Sequence, residues 1–314
     1  MKRVIALIIL GCIVAAGQTA QAALPAPDWP SRDGNAANGN YNAFETTLTA
    51  KNVLKLKVAW PPVAISDRSY PVVAGNRLYV PFNARKTVHV RAIDIKTGRA
   101  LATYNKGACG GILVANGDLY LAGHILQVLD ATSGQKLAQV RPPPGTHGCA
   151  FVYPQWDQNF ILAGYDGGST SSVYVTDQKL TQVLRKLPSA SASEAILSGH
   201  VYTRTSAGSA FYDETNGKVL AHPSYLGSDW FAGTQLAYTV SAFKHHKTKL
   251  YAIGDTGKRV WSRVVGPNLA TAGSDWPHAM SDSVLAVKTL QPGQGVLALN
   301  PLTGHFMWKR KLAN

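Results

Sequence analysis

The chain has 314 residues, 31 Lys and Arg against 17 Asp and Glu, and a formal charge of +14. That length holds a large core in one long domain or two, and the charge favours anionic partners such as phospholipid or lipopolysaccharide headgroups, acidic glycans or an acidic protein face. Nucleic acid is not expected, because no basic run is interleaved with aromatic residues as single-strand binders require.

In chain order, the first element is a targeting segment. Lys2 and Arg3 precede an uncharged run from Val4 to Gly17, and Ala20-Gln21-Ala22 supplies an A-x-A cleavage site. Residues 1–22 therefore read as a signal peptide, with a mature chain beginning at Ala23 and exported to the periplasm or secreted. A lipoprotein box, Ile9-Leu10-Gly11-Cys12, is the competing reading, but it would leave a short apolar core. Loss of Lys2 and Arg3 leaves the mature chain at +12.

Residues 23–54 form an irregular lead, followed by an outer-type strand at Leu56–Trp60. From there to residue 314 one pattern recurs: an alternating strand, D-x-x-T-G, and a second strand. It is clear in VRAIDIKTGRALATY around Asp94, LQVLDATSGQKLAQV around Asp130 and SAFYDETNGKVLAHP around Asp213. A copy at Asp177 has lost its glycine, one around Asp255 is a residue shorter, and the last has Asn300 in place of Asp. Asp or Asn can bond the turn backbone, and Gly supplies the positive φ that the turn needs. A second hairpin lies upstream of each copy, as in YPVVAGNRLYVPF and GILVANGDLYLAG.

Each unit thus reads as four short antiparallel strands in about 40 residues. Six modules begin near Tyr70, Cys109, Cys149, Glu194, Phe231 and Ala279. Repeated four-stranded units without helices predict an all-β fold, a β-propeller of six to seven four-stranded blades, its ring closed with the N-terminal strand.

In such a ring, residues entering the innermost strands converge on the axis, where a ligand would bind. The repeat phase places there Asp67, Arg68, Tyr70, His147, Ser193, Glu194, Asp229, Trp230, Asp275, Trp276 and His278. The tetrapeptide GSDW occurs at Gly227 and again at Gly273, so each copy is expected to bring one carboxylate and one indole to equivalent entry turns. The competing expectation is that Asp caps the turn and Trp packs between blades. Cys109 and Cys149 lie 40 residues apart at the same phase of neighbouring blades. In an oxidising compartment they would be joined if their Cα atoms come within about 7 Å; two buried thiols are the alternative. No His or Cys spacing suits a metal, and His245-His246 reads as surface.

The pattern Y-x6-L-x-A-x-D-x-x-T-G-x3-W, with the lead DWPSRDGNAANGNYNAFETTLTAKNVLKLKVAW, resembles the pyrroloquinoline-quinone-type repeat family over nearly all of the mature chain. The resemblance implies two functions. One is a quinone- and Ca2+-dependent dehydrogenase of alcohols or sugars, with Asp229 or Asp275 as base and Trp230 or Trp276 as stacking platform. The other is a non-catalytic module, similar to the lipoprotein propeller that assists outer-membrane protein assembly. The adjacent Cys-Cys pair of the alcohol-oxidising enzymes is absent, as is a CxxCH haem site, and the chain is shorter. The expectation is therefore a monomeric binding or scaffolding module without a cofactor, whose partner is an envelope protein or anionic ligand. Its charge is compatible with contact at a membrane surface.

Overall fold

Alternating apolar residues broken by Asx turns dictate short antiparallel strands, and the computed structural model consists of these. It describes residues 56–311 apart from short stretches, the longest being 223–229 and 268–277. The first blade is β1 (Val72–Ala74), β2 (Arg77–Ala84), β3 (Thr87–Asp94) and β4 (Ala100–Tyr104). The second is β5 (Gly111–Ala115), β6 (Asp118–Ala122), β7 (Leu126–Asp130) and β8 (Lys136–Val140), and the third is β9 (Phe151–Trp156), β10 (Phe160–Asp166), β11 (Ser171–Asp177) and β12 (Val183–Ser189). The fourth has β13 (Glu194–Leu197), β14 (His200–Thr205), β15 (Gly208–Asp213) and β16 (Val219–Ala221). The fifth has β17 (Trp230–Ala232), β18 (Ala237–Phe243), β19 (Lys247–Ile253) and β20 (Arg259–Pro267). The sixth has β21 (His278–Met280), β22 (Leu285–Thr289), β23 (Gly295–Leu299) and β24 (Phe306–Lys311). Strands pair antiparallel in chain order within every sheet. Six blades therefore begin where the repeat placed them.

The motif turn joins the third strand of a blade to its fourth, and its chemistry is local. Asp94 Oδ1 accepts from the Thr97 amide at 2.8 Å, and Asn300 Oδ1 accepts from the Leu302 and Thr303 amides at 3.0 Å. The turn glycine, with φ of 69° at Gly98 and 68° at Gly304, donates to the carbonyl of the same Asp or Asn. In the copy without glycine, Leu180 takes the left-handed conformation at φ 52°. Its side chain is buried among residues of the second and third blades, which offsets the backbone cost.

The core is divided among the blade junctions. Separate clusters join the first blade to the second, the second to the third, and so on to the sixth. Among the described residues no cluster joins the sixth blade to the first. Leu56–Trp60, expected as a closing strand, pairs with no strand among the described residues; Leu56 and Val58 are exposed. A side chain docks this segment on the first blade. The Trp60 ring covers Gly98, and its Nε1 donates to the Ile95 carbonyl at 3.1 Å.

Candidate functional site

The first strands of neighbouring blades lie side by side, β1 against β5, β5 against β9 and β13 against β17. At the second and third blades the approach is backbone on backbone. Phe151 N donates to Gly123 O and Tyr153 N to Gly110 O, both at 2.7 Å. A side chain at Gly110 would overlap the Phe151 carbonyl oxygen, so only glycine permits it. Cys109 and Cys149 stand two residues before β5 and β9 and form a disulfide with Cα atoms 5.9 Å apart. The pairing expected from the repeat phase is present.

The other predicted entry residues divide into three groups. Tyr70, two residues before β1, and His147, in the loop before β9, are exposed. Glu194, Trp230 and His278 are the first residues of β13, β17 and β21, placed by backbone pairing to Thr203, Thr239 and Val287. Asp67, Arg68, Ser193, Asp229, Asp275 and Trp276 lie outside the described residues, as do His245 and His246. Strand register corrects one expectation about GSDW. Ala232 pairs with Ala237 and Met280 with Leu285 across their hairpins, so Trp230 corresponds to His278 rather than to Trp276. The entry segment of the sixth blade is two residues longer, which puts the second GSDW out of phase with the strand that follows it. Among the described residues no group of three or more His, Cys, Asp or Glu side chains could hold a metal.

A second set of polar contacts, missed in the sequence, lies at the blade junctions. The carbonyl of the second turn residue accepts from the preceding blade. Ala131 O accepts from Tyr104 Oη at 2.6 Å and Arg77 Nη1 at 2.9 Å, and Pro301 O accepts from Trp261 Nε1 at 2.8 Å and Tyr238 Oη at 3.1 Å. Gln178 O accepts from Tyr120 Oη at 2.6 Å and Glu214 O from Arg185 Nη1 at 3.0 Å. A carbonyl oxygen has two lone pairs, so one turn can hold two latches. The signal was present in the Tyr and Trp of the repeat pattern, whose partners lie 40 to 63 residues away. Burial raises the Tyr120 and Tyr238 phenols, which keeps them as donors.

Hydrogen bonds from Thr97, Ser133 and Thr215 hold the carboxyls of Asp94, Asp130 and Asp213 below the ordinary range. Carboxylates so tied make poor bases. Glu214 behaves in the opposite way. It occupies the turn column that elsewhere carries Ile95, Ala131 or Pro301, is buried, and has Asp157 as a neighbour; desolvation and that neighbouring acid push its carboxyl up to about 9. Arg185 opposes the shift.

No protein-family model matches the chain, and no curated protein matches it. Solved structures do. BamB from Moraxella catarrhalis aligns at 14% identity and a TM-score of 0.55 over 81% of this chain and 76% of its own. The quinohemoprotein alcohol dehydrogenase of Comamonas testosteroni aligns at 14% identity and 0.68 over 94% and 68%. The quinohemoprotein alcohol dehydrogenase ADHIIG of Pseudomonas putida HK5 aligns at 12% and 0.64 over 91% and 66%. The chain thus spans about two thirds of the length of either dehydrogenase. At these identities the likeness concerns architecture: the chain folds as a β-propeller of the kind found in quinohemoprotein alcohol dehydrogenases and in BamB.

Proposed function

We propose that this is an exported, non-catalytic β-propeller that acts as a binding or scaffolding module for an envelope protein or anionic ligand. The observation that carries the reading is charge. The excess of +14, or +12 once Lys2 and Arg3 are removed with the leader, gives the surface a strong cationic field, and three of the motif carboxylates are occupied in capping their own turns. Export is supported by the Lys2-Arg3 start, the apolar run and the A-x-A site, and by a disulfide of the sort that persists in oxidising compartments. The fold is shared with alcohol dehydrogenases as well as BamB, so a quinone-dependent dehydrogenase is the competing function. Purified mature protein mixed with pyrroloquinoline quinone and Ca2+ should show neither stoichiometric quinone binding nor dye reduction with alcohols or sugars. Either result would overturn the binding-module reading.

A further inference from the structure

The last strand, β24, differs from the other outer strands. Phe306, Met307 and Trp308 are consecutive and 52%, 50% and 46% exposed, whereas the outer strands of the other blades expose aliphatic residues singly or as a Val-Leu pair. Lys309, Arg310 and Lys311 follow, also exposed, and no described carboxylate pairs with them. β23 bonds one edge of β24, and among the described residues no strand bonds the other. A groove of about 440 Å3 runs between β20 and β24, walled by Val264, Gly266, Leu297 and Met307.

Among the described residues Trp308 also lacks a dock of the kind that Trp261 has. Like Trp261 it is the fourth residue after its turn glycine and pairs across the hairpin with an alanine, Ala298 as against Ala252. Trp261 docks on the next turn, at Gly304 and Pro301. The turn that Trp308 would reach by the same rule in a closed ring, Asp94–Gly98, is already held by Trp60.

We propose that β24 receives an extended acidic segment of a partner protein. The segment adds to the free edge as a fifth strand, seats alternate apolar side chains against Phe306, Met307, Trp308 and the groove, and sets carboxylates against Lys309, Arg310 and Lys311. An unpaired edge is a template for strand addition, in which backbone bonds supply affinity and side-chain pockets supply selectivity. Charge decides the partner: three consecutive cations on a strongly basic chain select an acidic segment and repel a basic one. The edge accommodates about six residues, on the order of 20 Å of extended chain. This inference rests on the binding-module reading and names its partner class.

The test uses the whole mature protein and a blocked twelve-residue peptide alternating Glu with Val and Phe, followed by hydrogen exchange. Exchange within 306–311 should slow at least tenfold on saturation. Affinity should fall at least tenfold with added salt, in the K309E/R310E/K311E variant, or when Lys replaces Glu in the peptide; Trp308→Ala, which should leave the fold intact, should weaken it several-fold. Unchanged exchange at 306–311, or equal binding by the charge-reversed variant, overturns the proposal. So does protection, in the free protein, of those 306–311 amides that do not bond β23, which would mean that the chain's own lead covers the edge, or, if lost on dilution, a second copy. Protection by phosphatidylglycerol vesicles but not by the peptide would make the surface lipid-binding and also overturn it. Quinone-dependent dye reduction would sink the binding-module reading without altering the exchange result, so the two failures are distinguishable.

Discussion

Burial and the neighbouring carboxyl of Asp157, 57 positions away in the chain, favour the protonated form of Glu214. The folded protein keeps this proton up to about pH 9, whereas an ordinary glutamate near 4.5 loses it, so the unfolded chain binds fewer protons between those values. Stability should therefore decline as pH rises through this window, and Glu214 contributes most favourably below it. Glu214→Gln retains a donor toward Asp157 without the titration. The variant should melt higher than the parent at pH 8 and close to it at pH 4. Parallel melting curves against pH for the two proteins would show that Glu214 does not hold the proton.

At the scale of the element, the blade junction consists of an apolar cluster and one or two latches on a turn carbonyl. Trp60 is the instructive member, because the segment bearing it pairs with no strand among the described residues while its indole docks on the first blade's turn. Trp60→Ala removes a half-buried ring and a hydrogen bond and should cost about 2–3 kcal/mol. Trp308→Ala, at the same step of an exposed strand, should cost less than about 0.5 kcal/mol. Denaturant titration of the two variants compares them directly; equal costs would mean that Trp308 has a dock as good as Trp60's. The strands and their turns were legible from the sequence because a D-x-x-T-G turn is closed by bonds within five residues. Latches were legible only as residue types, Tyr and Trp at fixed phase, since their acceptors belong to the next blade.

For the molecule as a whole, the disulfide ties two inner strands across a loop of 40 residues. By the chain-entropy relation, a double Cys109→Ser, Cys149→Ser variant should lose about 4 kcal/mol of stability, read from its denaturation midpoint beside the oxidised parent. A loss below about 1 kcal/mol would mean that the backbone bonds at Gly110 and Gly123, the apolar cluster and the Tyr120 latch hold the second and third blades together without the disulfide.

By itself, the sequence determined the repeat, the starting points of the six described blades and the turn chemistry, and it put Cys109 and Cys149 at one phase of neighbouring blades, because each follows from local hydrogen bonding or from the phase of a period that the fold preserves; six or seven blades, and a bond or two thiols, stayed open. The tertiary structure alone decided the rest. It showed that Trp60 docks on the Asp94–Gly98 turn, that Trp230 corresponds to His278, that Glu214 neighbours Asp157, and that among the described residues β24, like the outer strand of every blade, is bonded on one edge. These depend on how one blade sits against the next. A two-residue change in an entry loop shifts a register without disturbing any local motif, and a turn carbonyl accepts whichever neighbour reaches it first.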